Sequence, residues 1–282
     1  MGNNEDLPGS RMRRTTPRLR TTELWWPVSE ESMAPYRLCR RFVLAMLSLL
    51  LASGAWAAKK QEYDPFKIPR EQFRSSIKIV ALRSPILPDG LSKPDEVSAS
   101  FESLITAGLT SAGMGVVPAK EFDQLWKQGA DSAGGLFDAT TGKLDPAKLK
   151  DLRASVGRAL KEKFNADAVL FPQFRIVKAS FSGGRATWDG VKQSMTKGFW
   201  GAMAGGNTYG TIPAVSLIVF IDDDDGKDLF VNSGGLQVAV KLGGGGKFVD
   251  LPVDSLFTDP ERNATAVSEA LKGLAETPKA GD

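Results

Sequence analysis

The sequence contains no histidine and a single cysteine, Cys39. With one cysteine the chain cannot form an internal disulfide, and without histidine it cannot form a Cys/His zinc site or a Ser-His-Asp triad. Proton transfer by an imidazole near neutral pH is excluded for the same reason. Any catalysis by this chain would therefore depend on carboxylates, lysine, tyrosine, serine or threonine.

The chain also lacks an apolar run of the roughly 20 residues that a membrane-spanning helix needs. Its longest run, residues 42–52 (FVLAMLSLLLA), follows Arg37, Arg40 and Arg41 and precedes a small-x-small triplet at residues 55–57. A basic segment, an apolar segment and a small-residue site in this order are typical of a secretory signal peptide. We therefore expect export to the periplasm of a Gram-negative-type envelope.

Signal cleavage is expected between Ala57 and Ala58. A lipoprotein cysteine would lie directly after the apolar segment, whereas Cys39 precedes it, so we predict no lipid anchor. The signal peptide would span residues 33–57, because Met33 gives it a normal basic start. Residues 1–32 are rich in Arg, Thr and Pro and have no apolar periodicity, which indicates an over-extended reading frame or a disordered leader.

The excess of positive charge belongs to the segment that cleavage would remove. The whole chain has 36 Lys and Arg against 33 Asp and Glu, a formal net charge of +3. Residues 1–57 hold eight arginines and five acidic residues, which leaves 28 basic and 28 acidic residues in the remainder. A neutral remainder does not have the overall basic charge typical of nucleic-acid-binding domains, so we expect no nucleic-acid partner.

Beyond the signal, the residue pattern predicts one α/β (α+β) domain, a sandwich with a mixed sheet. Residues 58–76 are polar and interrupted by two prolines, which indicates a lead-in arm, and residues 276–282 are predicted to form a disordered tail. Residues 77–275 show strand and helix patterns in the order β-α-β-α-α-β-β-β-β-α. The predicted strands are residues 77–82, 115–117, 168–177, 186–195, 214–222 and 229–240, and the predicted helices begin near residues 94, 118, 146 and 259.

Two short motifs carry a family resemblance. Residues 113–118 (GMGVVP) connect the first helix to the second, and residues 164–171 (FNADAVLF) lead into a central strand. With the strand and helix before them, they make residues 77–274 resemble the periplasmic domain shared by the curli secretion lipoprotein CsgG and the N-terminal domain of TolB. The resemblance implies a binding or assembly role at the cell envelope without catalysis. It does not imply pore formation or propeller-type docking, because the chain lacks the lipidated cysteine of CsgG and the propeller of TolB.

Four consecutive aspartates are a weak candidate for a calcium site: Asp222, Asp223, Asp224 and Asp225. The EF-hand pattern needs an oxygen ligand at position 1 and Glu at position 12. With Gly226 at position 6, Ile221 and Asn232 occupy those two positions. A solvated turn between two strands explains the run better, so we expect no metal.

The glycine run at residues 243–246, followed by Lys247, resembles the end of a phosphate loop. Phe248 stands where such a loop needs Ser or Thr to hold magnesium. We therefore expect a flexible link or a wide turn there, with no nucleotide and no other cofactor.

Acid–base catalysis would need two carboxylates close together, and the sequence offers Asp138 with Asp189 or with Asp167. Nothing in the sequence brings these residues together. Hydrogen bonds from such side chains to their own backbone turns are the better explanation.

Trp188, Asp189 and Gly190 predict a β-bulge in which the glycine has a positive φ. The indole either faces the core, which we favour, or is exposed as a binding anchor.

Residues 198–210 (GFWGAMAGGNTYG) place four large side chains among glycines: Phe199, Trp200, Met203 and Tyr209. Loops are usually polar, so this loop needs a reason for its aromatic content. It either contacts a partner protein or a membrane surface, or it packs onto its own sheet.

Together these patterns predict a soluble, non-catalytic protein of the cell envelope, monomeric or homo-oligomeric. It would bind or assemble through contacts with an envelope protein or a membrane surface. The alternative is a carboxylate-based hydrolase acting on envelope glycans, which needs two acidic groups roughly 5–10 Å apart in a cleft.

Overall fold

The computed structural model describes residues 63–138, 141–195, 209–242 and 248–275. In these ranges the chain is a mixed α/β structure with parallel and antiparallel strands in one main sheet, which confirms the predicted fold class. The predicted leader, signal peptide, cleavage site, glycine run and tail lie outside the described residues.

Five α-helices and nine strands make up the described part of the chain. The helices are α1 (Arg70–Ser76), α2 (Pro94–Ser111), α3 (Ala119–Ser132), α4 (Pro146–Phe164) and α5 (Pro260–Ala270), with a 3-10 turn at Val253–Leu256. The strands are β1 (Ile79–Leu82), β2 (Gly115–Val117), β3 (Ala168–Ser182), β4 (Arg185–Trp188), β5 (Val191–Ser194), β6 (Tyr209–Asp222), β7 (Asp228–Val238), β8 (Val240–Leu242) and β9 (Phe248–Asp250). None of the described helices is long and apolar enough to span a membrane.

The long strand β3 organises the main sheet. Along one edge it pairs with β6 in antiparallel fashion over its whole length from Val169. Along the other edge its first residues pair in parallel with β1, and its last residues pair in antiparallel fashion with β4. The sheet is completed by β2 beside β1, β5 beside β4 and β7 beside β6.

Helices cover both faces of the sheet along the first half of β3. Because side chains alternate along a strand, Ala168, Leu170 and Phe174 pack with α2 and α5, whereas Val169 packs with α3 and α4 on the opposite face. The second half of β3 has a different neighbour. There a third apolar cluster forms between β3, β4, β6 and the end of β7, and no residue of a described helix belongs to it.

The predicted lead-in arm packs into the folded core from residue 64 onward, in the same compact unit as the residues that follow it. The N–H of Lys67 donates to the carbonyl of Leu229 at 2.8 Å, which adds the arm to the free edge of β7. Helix α1 buries Phe73 completely. The ring of Phe66 makes edge contacts with the rings of Phe73 and Phe230 at 5.2 and 5.1 Å between centroids.

The stretch predicted as one strand at residues 186–195 is a hairpin. Asp189 and Gly190 form its two-residue turn, with φ of 36° and 79°, and Trp188 pairs with Val191 across it. Positive φ at both turn residues is the geometry that an Asp-Gly pair favours in tight hairpins. The predicted positive φ at the glycine is therefore confirmed, but the predicted bulge is wrong.

Candidate binding surface on the distal sheet

We use the name distal sheet for residues 176–182 of β3, strands β4 and β5, and residues 209–214 of β6. Its inner face holds the third apolar cluster, and Trp188 lies there with 6% of its surface exposed. The indole Nε1 donates to the carbonyl of Val215 at 3.3 Å. The prediction that Trp188 faces the core is therefore confirmed, and its use as an exposed anchor is wrong.

Asp189 fastens the hairpin to the rest of the sheet. Its carboxylate accepts a hydrogen bond from the hydroxyl of Ser216. Its backbone carbonyl accepts a hydrogen bond from the N–H of Gly235 in β7 at 2.9 Å. These two hydrogen bonds give Asp189 a structural role that requires no bound ligand.

The outer face of the distal sheet is exposed to solvent. Strand register places on it the even-numbered positions 176–182 of β3, with Arg185 and Thr187 of β4, Lys192 and Ser194 of β5, and Tyr209 and Thr211 of β6. Tyr209 is 82% exposed and Ile176 is 74% exposed. Of the predicted loop residues, Tyr209 is thus on this face, whereas Phe199, Trp200 and Met203 lie outside the described residues.

The outer face carries charge of one sign. Between Asp167 and Asp222 the chain has one acidic residue, Asp189, and five basic ones. Three of the basic residues, Lys178, Arg185 and Lys192, stand on the outer face. Residues 58–282 have no net charge as a whole, so their total charge does not show this local excess of basic residues. The distribution of charged residues along the sequence could have revealed it.

The opposite end of β6 carries the acidic turn. The turn predicted at residues 222–226 is present between β6 and β7. The carboxylate of Asp223 accepts hydrogen bonds from the N–H groups of Asp225 and Lys227 at 3.1 and 2.8 Å. Within the described ranges, no three Asp, Glu, His or Cys side chains are grouped to hold a metal ion. The calcium candidate is therefore not assembled as a site.

Asp222 is the unusual member of the acidic turn. Burial, together with Asp228 opposite it on β7, raises the pKa of Asp222 to about 7, although Arg153 nearby acts in the other direction. The Oδ1 atom of Asp222 is buried without a hydrogen-bond partner. A proton on Asp222 would relieve the repulsion between the two carboxylates and supply the hydrogen bond to Asp228.

We expect Asp222→Asn to remove a pH dependence from the stability of the protein. The pKa of Asp222 in the folded state, about 7, lies above its value of 3.8 in an unfolded chain. Its stabilising contribution is therefore complete below about pH 4 and is lost as the pH rises to about 7. Asparagine keeps the hydrogen bond without the charge, so the variant should be more stable than the wild type at pH 8 by about 2 kcal/mol, with partial exposure allowed for. Urea denaturation at pH 4 and pH 8 measures the difference.

Asp224→Asn is the matched control for Asp222→Asn, because it removes the same charge from an exposed position of the same turn. It should leave the difference in stability between the two pH values close to that of the wild type. If the free energy of unfolding of Asp222→Asn and of the wild type changed with pH in the same way, the raised pKa could not belong to Asp222.

The structure does not bring Asp138 and Asp167 together, and the carboxylate of Asp138 accepts hydrogen bonds from the N–H and the hydroxyl of Thr141 at 2.7 and 2.8 Å, as the turn explanation expects. Asp138 precedes the first turn of α4, and Asp167 follows its last turn, which puts a helix of 19 residues, about 28 Å long, between them. Asp189 lies in the distal hairpin, and no described contact joins it to Asp138.

The hydrogen bonds of Asp167 give it a structural role. It accepts hydrogen bonds from the backbone N–H groups of Lys78 and Ile79 at 2.9 and 3.0 Å and from Lys161 at 2.6 Å. Partial burial alone would raise the pKa of Asp167, but these three hydrogen bonds outweigh it and lower the pKa. Asp167 is therefore a carboxylate that ties the end of α4 to the start of β1.

A different pair of carboxylates meets at the carboxyl end of β1. The hydroxyl of Ser84 lies 2.8 Å from Glu102 of α2 and 2.7 Å from Asp123 of α3. The two acidic residues are on helices that cover opposite faces of the sheet. Strand ends of this kind are frequent ligand sites in α/β folds. Sequence reasoning missed this cluster because Ser84, Glu102 and Asp123 are far apart in the sequence.

Arg83 lies beside this pair and is held by aromatic rings. Its guanidinium stands over the rings of Trp126 and Phe171, 5.5 and 5.8 Å from their centroids. Burial lowers the pKa of Arg83, and Asp123 partly offsets that effect. The charge of Arg83 therefore balances one of the two carboxylates.

Three cavities of the described part of the chain lie elsewhere. One of about 360 Å³ is bounded by α1, α4 and the turn between β6 and β7, one of about 450 Å³ lies between α2 and α5, and one of about 480 Å³ lies between α3 and α4. None of these three has Ser84, Glu102 or Asp123 in its lining.

No family model and no curated protein matches this chain.

Proposed function

We propose that this chain is a non-catalytic binding or assembly protein of the bacterial cell envelope, exported to the periplasm, which acts through the distal sheet. The outer face is the observation that carries the proposal, because Tyr209 and Ile176 are 82% and 74% exposed there on adjacent strands. The signal-like segment at residues 42–52 and the resemblance to the CsgG and TolB periplasmic domains support the location in the envelope.

The outer face has the composition of a contact surface. An exposed tyrosine gives a large contact area at a low entropy cost, because it has few rotatable bonds. The residues of this face are positioned by a rigid ladder: β3 and β6 pair without a register shift from Val169 to Ser182. A partner would therefore meet a preformed surface.

A photocrosslinking amino acid in place of Tyr209 tests the proposed contact. In cells that express the protein, we expect a discrete adduct with an envelope component. The same amino acid at Lys127, an exposed position on α3, is the control and should give no such adduct. Identical adducts at both positions, or none at either, would refute the proposed role of this face.

A carboxylate-based hydrolase is the second candidate, and the contact of Ser84 with Glu102 and Asp123 is the observation that favours it. Each carboxylate is within 2.8 Å of the same hydroxyl, so the nearest oxygens of the two are at most about 5.5 Å apart, which is the upper limit of the carboxyl separation in retaining glycosidases. Release of reducing sugar from purified envelope glycan by the wild type, lost in both Glu102→Gln and Asp123→Asn, would support this function. Equal release from the wild type and both variants would exclude the pair as its catalytic groups.

A further inference from the structure

We infer that the outer face of the distal sheet docks onto an anionic phospholipid surface. The inference rests on the proposed function, since it names the partner of the same face. Three observations carry it: the spacing of the cations, the absence of ion pairs between them and the described residues, and the exposed apolar side chains among them.

The spacing of the cations fits an array of anions better than a single one. Lys178, Arg185 and Lys192 stand on three adjacent strands. With strands about 4.8 Å apart and a rise of about 3.4 Å per residue, the Cα atoms of Arg185 and Lys192 are about 8 Å apart, and that of Lys178 is about 12–14 Å from both. Side chains in a sheet stand roughly perpendicular to it, so the three charges are spread over the face. A surface with many phosphate groups can engage all three.

The cations are available for such a surface. None of the three forms an ion pair with a described residue. The four strand segments of the distal sheet contain no acidic residue, and Asp189, in the turn between β4 and β5, accepts a hydrogen bond from Ser216. An anionic partner would therefore gain attraction without first breaking an ion pair, and the attraction would be confined to this end of the protein.

The apolar side chains favour a membrane over an acidic polymer. Ile176 is 74% exposed, and Tyr209 has an apolar ring with a polar tip and is 82% exposed on the same face. Tyrosine is enriched at membrane interfaces, and apolar side chains gain free energy when they enter the boundary between headgroups and acyl chains. A hydrophilic polymer would leave Ile176 in water. The described helices include none that could span a bilayer, so the contact would be peripheral.

Sedimentation with vesicles tests the inference. The purified protein should bind vesicles of equal parts phosphatidylglycerol and phosphatidylcholine, bind vesicles of phosphatidylcholine alone far less, and be released by high salt. Changing Lys178, Arg185 and Lys192 together to Gln should weaken binding about a hundredfold or more, given the usual contribution of each cation near an anionic surface. Changing Ile176 and Tyr209 together to Ser should also weaken binding, without reducing its dependence on salt.

The matched control changes Lys120, Lys127 and Lys150 to Gln, which alters the net charge equally at exposed positions on α3 and α4. It should bind as the wild type does. Equal loss in both triple variants, or no binding of the wild type to the anionic vesicles, would overturn the inference, as would binding to an acidic polymer such as polyglutamate in preference to vesicles. A specific adduct from position 209 with a protein, combined with no vesicle binding, would overturn the membrane contact and leave the proposed function standing.

Discussion

Gly234→Ala is expected to lower the free energy of unfolding by about 4 kcal/mol, an unusually large effect for the addition of one methyl group. Gly234 is the point where β7 meets α5. A β-carbon at this position would overlap the carbonyl oxygen of Ala266 and lie 2.8 Å from the backbone nitrogen of Ala270. Because both neighbours are backbone atoms of a helix, no change of rotamer can make room. The whole helix would have to move away from the sheet.

Urea denaturation of Gly234→Ala measures this cost. Gly210→Ala is the control, since Gly210 is also in a strand and a β-carbon there would meet no atom within 4 Å. The control should have a free energy of unfolding within about 0.5 kcal/mol of the wild type. Similar values for the two variants would mean that α5 does not lie as close to β7 as the structure has it.

The close approach at Gly234 also shapes the candidate binding surface. On the opposite side of β7, a β-carbon at Gly235 would lie 2.7 Å from the indole nitrogen of Trp188. Gly234 and Gly235 thus allow α5 to pack closely on one face of β7 and the β4–β5 hairpin to pack closely on the other. Because this hairpin carries Arg185 and Lys192, the position of two of the three outer-face cations depends on β7 having no side chain at these positions.

Local signals were enough to predict most of the elements. A helix was expected to begin near residue 146, and α4 begins there, with the carboxylate of Asp145 accepting hydrogen bonds from the N–H groups of Ala147 and Lys148 at 2.9 and 3.2 Å. Cap signals of this kind depend only on residues within one turn of the helix. The fold class followed because the order of elements restricts how strands and helices can be layered.

Contacts between distant residues could not be predicted in this way. Ser84 contacts Glu102 and Asp123, which are 18 and 39 positions further along the sequence. The outer face depends on the register of four strands, although the scarcity of acidic residues between Asp167 and Asp222 was visible beforehand. The end of β3 was also missed, where residues 178–182 alternate between exposed and buried positions.

The packing of the lead-in arm against the core could not be predicted from its composition, and Phe73 explains why. The stretch from Pro65 to Ser76 has few apolar residues, so its composition indicates a solvated segment. One fully buried aromatic side chain can nevertheless dominate the packing energy of a short helix. Phe73 is 0% exposed and contacts the ring of Phe66, which in turn contacts Phe230 of β7.

Phe73→Ala should therefore lower the free energy of unfolding by about 3–5 kcal/mol, the usual cost of removing a buried phenylalanine ring. Phe137→Ala is the matched control, because Phe137 is 62% exposed and its loss should change the free energy of unfolding by no more than about 0.5 kcal/mol. Urea denaturation measures both. If Phe73→Ala proved as mild as the control, the arm would be an independent segment after all. A large loss would mean that α1 belongs to the cooperative unit, and that a protein shortened to begin at Ile77 would lose the edge partner of β7 and the aromatic contacts that hold it.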